Sequence, residues 1–423
     1  MLFQTGKKPA GHFTAGPGIL KYGKDKIMKI TDIRAYVLTT EFTTEWPVTD
    51  RQATPLDYYE EYGGVPITYS QSPHLKPEKG LTKNIMLEIL TDEGVSGIHL
   101  PVNQHMQAEG ALSVYRPLLI GMDPFAIRTI RDKMDRFAQY GRTGSLMTSI
   151  SAIDNALWDL KGKAVGLPVY RLLGGARNKL QPYVSTLGCN ADDMSLVREW
   201  AKKVSDMGVW GQKWFLKYGP SSGYEGMKKN IELVYTVREA AGEGAKIMFD
   251  AWASWDLSYC LEIFPELEAA KPFWIEEPLR TDRIEAYGML KDKSNIQISF
   301  GEKLVNRFEL HAFLKAGVID VYQPEPEMFG GVTESVIAGE MCELYGVKYL
   351  LHGMSLMPIM SVSSAMAPDI TPCFEYLMRT VPGFVSPLKD PPPIVDGYVT
   401  LDDRPGMFHL DEEKIVSREE ITL

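Results

Sequence analysis

Three acidic residues recur at one spacing in the second half of the chain. Asp250, Glu276 and Glu302 each follow a short apolar run, and each is separated from the next by 26 residues (276 − 250 and 302 − 276). Carboxylate oxygens from three neighbouring elements suit a hard cation such as Mg²⁺, which keeps further positions for water and substrate. Single acids are commonly surface ion pairs or helix caps, but three at one phase of a repeat predict a metal site.

The spacing also predicts the elements that position these acids, since one strand and one helix of a parallel barrel need roughly this length. After Leu180, short apolar runs alternate with longer amphipathic stretches, which is typical of parallel strands covered on both faces. The predicted strands span residues 182–185, 212–215, 246–249, 273–275, 296–300, 319–322, 347–351 and 374–377. Strands alternating with helices in this way predict a barrel, whose chemistry lies at the carboxyl ends of its strands.

Other residues of useful chemistry fall at the same phase. Glu325 follows the sixth predicted strand, His352 follows the seventh, and Glu375 lies on the eighth. A carboxylate orients an imidazole and raises its basicity, so Glu325 and His352 could serve as a general base and then a general acid. Lys213, on the second strand, is predicted to point inward beside the metal; the alternative is a lysine that extends from the sheet into solvent.

The first third of the chain has a mixed pattern. The β-branched segments 30–38 and 84–90 predict strands. Apolar residues at helical spacing then predict a helix with one buried face, formed by Ile150, Ile153, Leu157 and Leu160. Gly162 and Gly166 are predicted to end this helix. The pattern therefore predicts an α+β domain ahead of the barrel.

Composition excludes several classes of protein. The chain has 423 residues and a formal net charge of −10, without a basic stripe or a long apolar run, so neither nucleic acid nor a membrane is an expected partner. The cysteines are far apart and form no metal or redox motif, which predicts free buried thiols in a cytoplasmic protein. They are Cys189, Cys260, Cys342 and Cys373.

Several motifs in sequential order resemble one known family. They are S-A-I-D-N-A-L-W-D-L-K-G-K at 151–163, G-L-P-V-Y at 166–170, L-L-G-G at 172–175, W-I-E-E-P at 274–278 and G-E at 301–302. Together they resemble the mandelate racemase subgroup of the enolase superfamily, and the resemblance runs from Ile27 to the carboxyl terminus.

The resemblance implies an α/β fold, a modified (β/α)₇β TIM barrel with an α+β capping domain. The implied divisions are an N-terminal arm (1–26), the cap (27–155), the barrel (156–380) and a C-terminal segment that returns to the cap (381–423). It also implies that Asp250, Glu276 and Glu302 hold Mg²⁺, which binds a substrate carboxylate and stabilises the enediolate formed on proton loss. Glu375 would hydrogen-bond or protonate that carboxylate.

Within the subgroup, G-V-W-G-Q-K at 208–213, Y-G-P at 218–220 and A-T-P at 53–55 are similar to segments of rhamnonate dehydratases. This resemblance implies an acid-sugar dehydratase that gives a 2-keto-3-deoxy acid from a rhamnonate-like or lyxonate-like substrate, with His352 as the base. Most relatives carry a second lysine two residues after the first. This chain has Phe215 there, so a two-base racemisation lacks one base.

Two features leave alternatives open. Relatives usually carry Asp where this chain has Glu325, so the pair with His352 requires a shifted backbone, or Glu327 takes the role, or the chemistry is altered or lost. Lys217 could reach the substrate by strand alternation, which would allow an epimerase or cycloisomerase that uses Lys217 or Lys213 as its base. A low-activity, acid-sugar-binding regulatory protein is the third hypothesis.

The predicted substrate contacts outside the barrel lie in the cap loops at 49–74. Tyr58 and Tyr59 are expected to close over the mouth, and Arg51 is either a contact to a distal hydroxyl or a solvated surface arginine. The resemblance also implies a closed homo-oligomer, such as an octamer.

Overall fold

A computed structural model describes residues 27–43, 52–59, 80–102 and 105–423. The amino-terminal arm at 1–26 and the predicted contact Arg51 lie outside this range. The first three strands, which form an antiparallel sheet, are β1 (Ile30–Glu41), β2 (Leu81–Thr91) and β3 (Gly97–Val102).

Helices follow these strands and cover the sheet. They are α1 (His105–Gly110), a π-helical turn (Ala111–Tyr115), α2 (Arg116–Leu119), α3 (Ile127–Phe137), α4 (Ser145–Val165) and α5 (Val169–Leu172). The face of α4 predicted from the sequence is fully buried, since Ile150, Ile153, Leu157 and Leu160 each have 0% exposure. The predicted α+β domain is therefore present.

One predicted helix end is wrong. Helix α4 ends at Val165, and Gly166 is its C-cap residue with a left-handed φ of 73°. Gly162 lies inside the helix. A Cβ atom at Gly162 would lie 2.7 Å from the Cα of Gly406. This glycine is therefore required by the close approach of a distant segment, and sequence punctuation could not distinguish that role from a helix end.

Eight parallel strands alternate with seven helices in the second half of the chain. After the short strand β4 (Lys179–Leu180), the elements are β5 (Pro182–Ser185), α6 (Met194–Asp206), β6 (Gly211–Phe215), α7 (Gly223–Ala241), β7 (Ile247–Asp250), α8 (Leu257–Leu267), β8 (Trp274–Glu276), α9 (Ile284–Lys291), β9 (Ile298–Phe300), α10 (Arg307–Ala316), β10 (Val321–Tyr322), α11 (Gly331–Tyr345), β11 (Lys348–Tyr349), α12 (Leu356–Ala365) and β12 (Phe374–Leu377). Short 3₁₀ turns at Pro220–Ser222 and Glu268–Ala270 flank α7 and α8.

The strands curl in the order β11-β10-β9-β8-β7-β6-β5-β12. The two end strands meet where the Glu375 N–H donates to the Leu351 carbonyl over 3.1 Å. Side chains of the strands fill the interior, among them Tyr183, Met248 and Trp274. The (β/α)₇β arrangement predicted from the sequence is confirmed.

The carboxyl-terminal segment runs back to the first sheet. It contains α13 (Val381–Phe384), β13 (Val399–Thr400), a 3₁₀ turn (Glu412–Lys414) and β14 (Ile415–Glu420). Strand β14 pairs with β1, and β13 pairs with β4. The predicted division between residues 155 and 156 lies within α4, and the division into domains stays a prediction.

The four cysteines are buried free thiols, as predicted. Within the described part of the chain, no helix combines the length and apolar character needed to span a bilayer.

A single buried carboxylate joins the cap to the carboxyl-terminal segment. Asp159 on α4 accepts hydrogen bonds from the backbone N–H of Ile98 in β3 (2.8 Å), of Met407 (2.7 Å) and of Phe408 (3.0 Å). Lys163 lies one turn further along α4, with its Nζ 2.7 Å from Asp159 Oδ2. Because Asp159 has 0% exposure, water cannot replace it as an acceptor.

We therefore expect Asp159→Ala to lower the free energy of unfolding by about 3 kcal/mol or more, since it leaves three buried N–H groups without acceptors. Urea denaturation followed by circular dichroism measures the change. The control is Asp132→Ala, which removes an exposed ion pair with Arg136 on α3 and should change stability by about 0.5 kcal/mol or less. Equal effects of the two substitutions would contradict this role for Asp159.

Candidate active site

The acids predicted from the repeat lie at one end of the barrel. Asp250 and Glu276 are the last residues of β7 and β8 and are aligned in the parallel register, and Glu302 follows β9. Lys213 on β6 stands among them, with its Nζ 2.7 Å from Glu276 Oε1, 2.8 Å from Glu375 Oε1 and 3.5 Å from Asp250 Oδ2. Its side chain is 1% exposed, so Lys213 points inward, as the sequence predicted, and does not extend into solvent.

Neutral polar groups complete the inner contacts. Gln323 donates from Nε2 to Glu276 Oε2 over 2.9 Å and to the Tyr183 hydroxyl over 2.8 Å. Glu375 accepts a hydrogen bond from the Ser185 hydroxyl and one of 3.1 Å from the Gly353 N–H. Both carboxylates are therefore held from two sides, which fixes their orientation at the mouth.

His352 lies against three carboxylates. Its Nδ1 is 3.1 Å from Glu325 Oε2, and its Nε2 is 2.8 Å from Glu302 Oε2 and 3.6 Å from Glu375 Oε2. The backbone N–H of His352 also donates to the Pro324 carbonyl over 3.0 Å, which aligns the loop after β11 with the loop after β10. The structure thus brings His352 and Glu325 into direct contact, with the second ring nitrogen directed at the acidic cluster.

The longer side chain of Glu325 is accommodated by the loop that carries His352. Glu325 Oε2 accepts the Met354 N–H over 2.8 Å, and Oε1 accepts the Ser355 hydroxyl. The Glu327 N–H donates to Oε1 over 3.3 Å, so the backbone of residue 327 supports Glu325. In this arrangement the contact to His352 is made by Glu325 despite the additional methylene.

Burial and charge shift the pKa values of these groups strongly. Burial raises the pKa of Asp250 to about 7 and that of Glu276 to about 8; Lys213 opposes the rise and neighbouring carboxylates add to it. Burial would lower the pKa of Lys213, but Glu276 and Glu375 raise it well above its usual value. An ammonium ion is therefore kept at the centre of the cluster.

The pKa of the His352 imidazole and the pKa values of Glu302 and Glu375 are shifted in opposite directions. Burial disfavours the His352 cation, but Glu375 and Glu302 hold the pKa of this ring well above its usual value. Against the effect of burial, Lys303 and His352 hold the pKa of Glu302 well below its usual value, and Lys213 and His352 lower that of Glu375. A protonated His352 cannot accept a proton, so another positive charge has to compensate these acids before the ring can act as a base.

The residues present fit a divalent cation in their chemistry. Asp250, Glu276 and Glu302 offer hard oxygen donors from three successive strands, and their mutual repulsion contributes to the raised pKa values of Asp250 and Glu276. Within residues 27–43, 52–59, 80–102 and 105–423, no three His, Cys, Asp or Glu side chains are arranged so that they could hold a metal ion. Instead, Lys213 and His352 contact the carboxylate oxygens of Glu276 and Glu302.

The other predicted contacts lie around the rim. Lys217 pairs with Asp192, with Nζ 2.5 Å from Oδ2, and Asp192 also accepts the Tyr218 hydroxyl. Tyr58 is half exposed, and its hydroxyl donates to Asp256 Oδ2 over 3.1 Å at the start of α8. The Phe215 ring lies 5.4 Å from Lys213 Nζ, at the position where the family resemblance implies a second lysine. The role of Lys217 and Tyr58 as substrate contacts stays a prediction.

Sequence reasoning missed several residues that hold the site. Ser185 and Ser355 bind the carboxylates of Glu375 and Glu325, and Trp252 and Lys303 both contact Glu302. Ser185 pairs in register with Lys213, so its position at the end of a strand was the available signal. The directions of the other three side chains depend on loop conformation, which strand periodicity does not predict.

The family is established by two matches. Residues 196–413 match the model described as "Enolase C-terminal domain-like", and residues 79–174 match "Mandelate racemase / muconate lactonizing enzyme, N-terminal domain". The chain therefore belongs to this family of enzymes in the enolase superfamily. The predicted superfamily and fold are confirmed.

Named relatives and a solved structure are similar along most of the chain. An L-rhamnonate dehydratase of Saccharopolyspora erythraea is 28% identical over 90% of this chain and 95% of its own. A D-galactonate dehydratase of Pectobacterium atrosepticum is 33% identical over 63% of this chain and 71% of its own. Rhamnonate dehydratase from Gibberella zeae, crystallised in complex with Mg, superimposes with a TM-score of 0.77 at 25% identity, covering 93% of this chain and 97% of that one. These names agree with the predicted hydro-lyase.

Removal of the central ammonium ion should destabilise the protein when no divalent cation is present. We expect Lys213→Met to lower the free energy of unfolding by about 3–5 kcal/mol in EDTA, because buried carboxylates then lose their cation. Chemical denaturation measures the loss. Lys202→Met, which removes one side of an exposed pair with Asp206, should have an effect of about 0.5 kcal/mol or less. A Lys213 variant as stable as this control would refute the charge balance described above.

Proposed function

We propose that the chain is a Mg²⁺-dependent acid-sugar dehydratase that acts on a rhamnonate-like or lyxonate-like substrate. It would remove the proton α to the carboxylate and eliminate the β-hydroxyl, giving a 2-keto-3-deoxy sugar acid. The observation that carries this proposal is the position of His352, which contacts Glu325 on one side and the acidic cluster on the other. The named dehydratases among the relatives support the same reaction class.

Asp250, Glu276 and Glu302 are proposed to hold Mg²⁺, as hard oxygen donors do. The relative from Gibberella zeae, crystallised in complex with Mg, supports this choice of ion. When bound, Mg²⁺ supplies positive charge that neutralises the substrate carboxylate and makes the neighbouring C–H bond more acidic.

His352 is proposed to act as the single base and then as the acid. Glu325 accepts from Nδ1–H, which fixes the tautomer and leaves Nε2 as the nitrogen that faces the mouth. Nε2 would take the α-proton and then return that proton to the departing β-hydroxyl, which leaves as water. The enol that remains becomes the 2-keto-3-deoxy acid by tautomerisation. A base and an acid on one ring require both events on one face of the substrate.

Lys213 and Glu375 are proposed to act on the substrate carboxylate. The Lys213 ammonium lies between Glu276 and Glu375, where it can attract an anionic oxygen. Glu375 would hydrogen-bond a carboxylate oxygen after taking up a proton, because only the protonated form can donate, and Lys213 and His352 lower its pKa in the unliganded site. Lys217, Tyr58 and Arg51 are proposed to contact the distal hydroxyl groups, where the identity of the sugar is decided.

An epimerase or cycloisomerase of the same family is the second candidate. It would use Lys217 or Lys213 as its base; Lys217 lies on the rim, whereas Lys213 lies between Glu276 and Glu375. Lys217 forms an ion pair with Asp192, and against the effect of burial Lys217 and Tyr218 lower the pKa of the Asp192 carboxyl. This lysine is therefore engaged by a carboxylate, which favours the single-base reaction. We further expect a homo-oligomer that acts in the cytoplasm, without nucleic acid or membrane as a partner, in keeping with the net charge of −10.

Replacement of His352 by Asn should abolish exchange of the α-proton with D₂O and lower kcat by about 10²-fold or more, because the general base is lost. Proton NMR of an acid sugar incubated with Mg²⁺ measures the exchange. The control is His311→Asn on the exposed side of α10, which should behave as the unmodified protein. Exchange that persists in the His352 variant would rule out this base.

A library of mono- and diacid sugars should yield a product that semicarbazide traps as a 2-keto acid. In Lys217→Met we expect KM for that substrate to rise with kcat nearly unchanged, since Lys217 is proposed to bind substrate rather than to move protons. An epimer that forms without a trapped 2-keto acid, and is lost in the Lys217 variant, would favour the second candidate. Tight binding of an acid sugar without any exchange would favour a regulatory protein.

A further inference from the structure

Trp252 stands between two of the proposed metal ligands. It lies two residues after Asp250, in the loop that leaves β7. Its backbone N–H donates to Asp250 Oδ1 over 2.8 Å, and its indole Nε1–H donates to Glu302 Oε1 over 2.9 Å. One residue therefore contacts carboxylates at the ends of β7 and β9, which are separated in the sheet by β8.

The backbone of this loop is held in a conformation that bulky residues rarely adopt. Trp252 has φ 47° and Ala253 has φ 57°, both in the left-handed region. The loop is held there by bonds from the Ala251 N–H to the Glu276 carbonyl (2.9 Å) and from the Ala253 N–H to the Glu277 carbonyl (2.7 Å). Left-handed residues outside glycine persist only where the surroundings fix them, and they are concentrated at functional sites.

A lysine contacts the same carboxylate oxygen. Lys303 donates to Glu302 Oε1 over 2.7 Å, pairs with the buried Glu277, and lies 5.1 Å from the centre of the Trp252 ring. The oxygen Oε1 of Glu302 is thus held by an indole and an ammonium group. The other oxygen, Oε2, faces His352 at 2.8 Å. The two oxygens of Glu302 therefore have distinct environments, one that fixes the group and one directed into the site.

We propose that Trp252 is a positioning residue for the divalent cation. By holding Asp250 and Glu302 at once, it would keep two ligands from different strands at a separation that one ion can bridge. This inference rests on the proposed function, because it takes these carboxylates as the ligands. Hydrogen-bonding partners outside the coordination sphere commonly change metal affinity by about 10–100-fold.

The test is calorimetric titration of Mg²⁺, without substrate, into the full chain and into Trp252→Phe. The phenyl ring keeps an aromatic face for Lys303 but removes the N–H that donates to Glu302. We expect the Kd for Mg²⁺ to rise by about tenfold or more. The matched control is Trp255→Phe in the same loop, because the indole N–H of Trp255 donates to the Tyr218 carbonyl over 2.9 Å rather than to a proposed metal ligand. The Kd of this variant should equal that of the unmodified protein.

A second variant keeps the inference testable if the Phe variant folds poorly. Trp252→His retains a ring N–H, so its affinity should lie between those of the unmodified protein and Trp252→Phe, and unfolding midpoints in EDTA identify any variant that has lost its fold. Unchanged affinity in Trp252→Phe, an equal loss in Trp255→Phe, or a loss in Trp252→His as large as in Trp252→Phe would overturn the role of Trp252. An unmodified protein that binds no Mg²⁺ would instead overturn the proposed function.

Discussion

The compensation of buried negative charge is the constraint on which the mouth of the barrel depends. Asp250, Glu276 and Glu375 are almost fully buried and converge on Lys213. Separate carboxylates in a medium of low dielectric constant repel one another, and each is stable only with a cation or a proton. In the structure Lys213 and the His352 ring meet the charge of Glu375, and Lys303 and His352 meet that of the neighbouring Glu302. A site arranged in this way is suited to exchange some of those internal partners for an external cation.

The fold supplies the geometry that creates this concentration of charge. Parallel strands place their carboxyl ends at one edge, so acids at one phase of a repeated unit converge even though they are distant in sequence. The cap and the carboxyl-terminal segment add rigidity from outside the barrel. Asp159 ties β3 to residues 407 and 408, and Asp154 of the same helix accepts the Thr333 N–H over 2.9 Å at the start of α11. The loop between β10 and α11 carries Glu325, so the contact between Asp154 and Thr333 connects helix α4 to the element that follows this loop.

The periodicity of apolar residues predicted the positions of the strands and of the acids that follow them. It did not predict contacts made by side chains in loops. The strands and the phase of Asp250, Glu276 and Glu302 followed from a recurring apolar run, because a strand end fixes the direction of the next residue. The contacts of Trp252 did not follow, since they require a left-handed backbone that nothing in the local sequence indicates. Gly162 is a second example. Glycine is typical of a helix end, but here it is required by the close approach of Gly406, 244 positions away (406 − 162).

The central claim is that three carboxylates from successive strands bind one divalent cation. The most direct measurement is an anomalous difference map from crystals of the protein grown with Mn²⁺, a hard cation that substitutes for Mg²⁺. We expect one strong peak within about 2.0–2.3 Å of oxygens from Asp250, Glu276 and Glu302, with the imidazole of His352 no longer bonded to Glu302. A map without a peak among these side chains, or with the ion bound elsewhere at the mouth, would contradict the account.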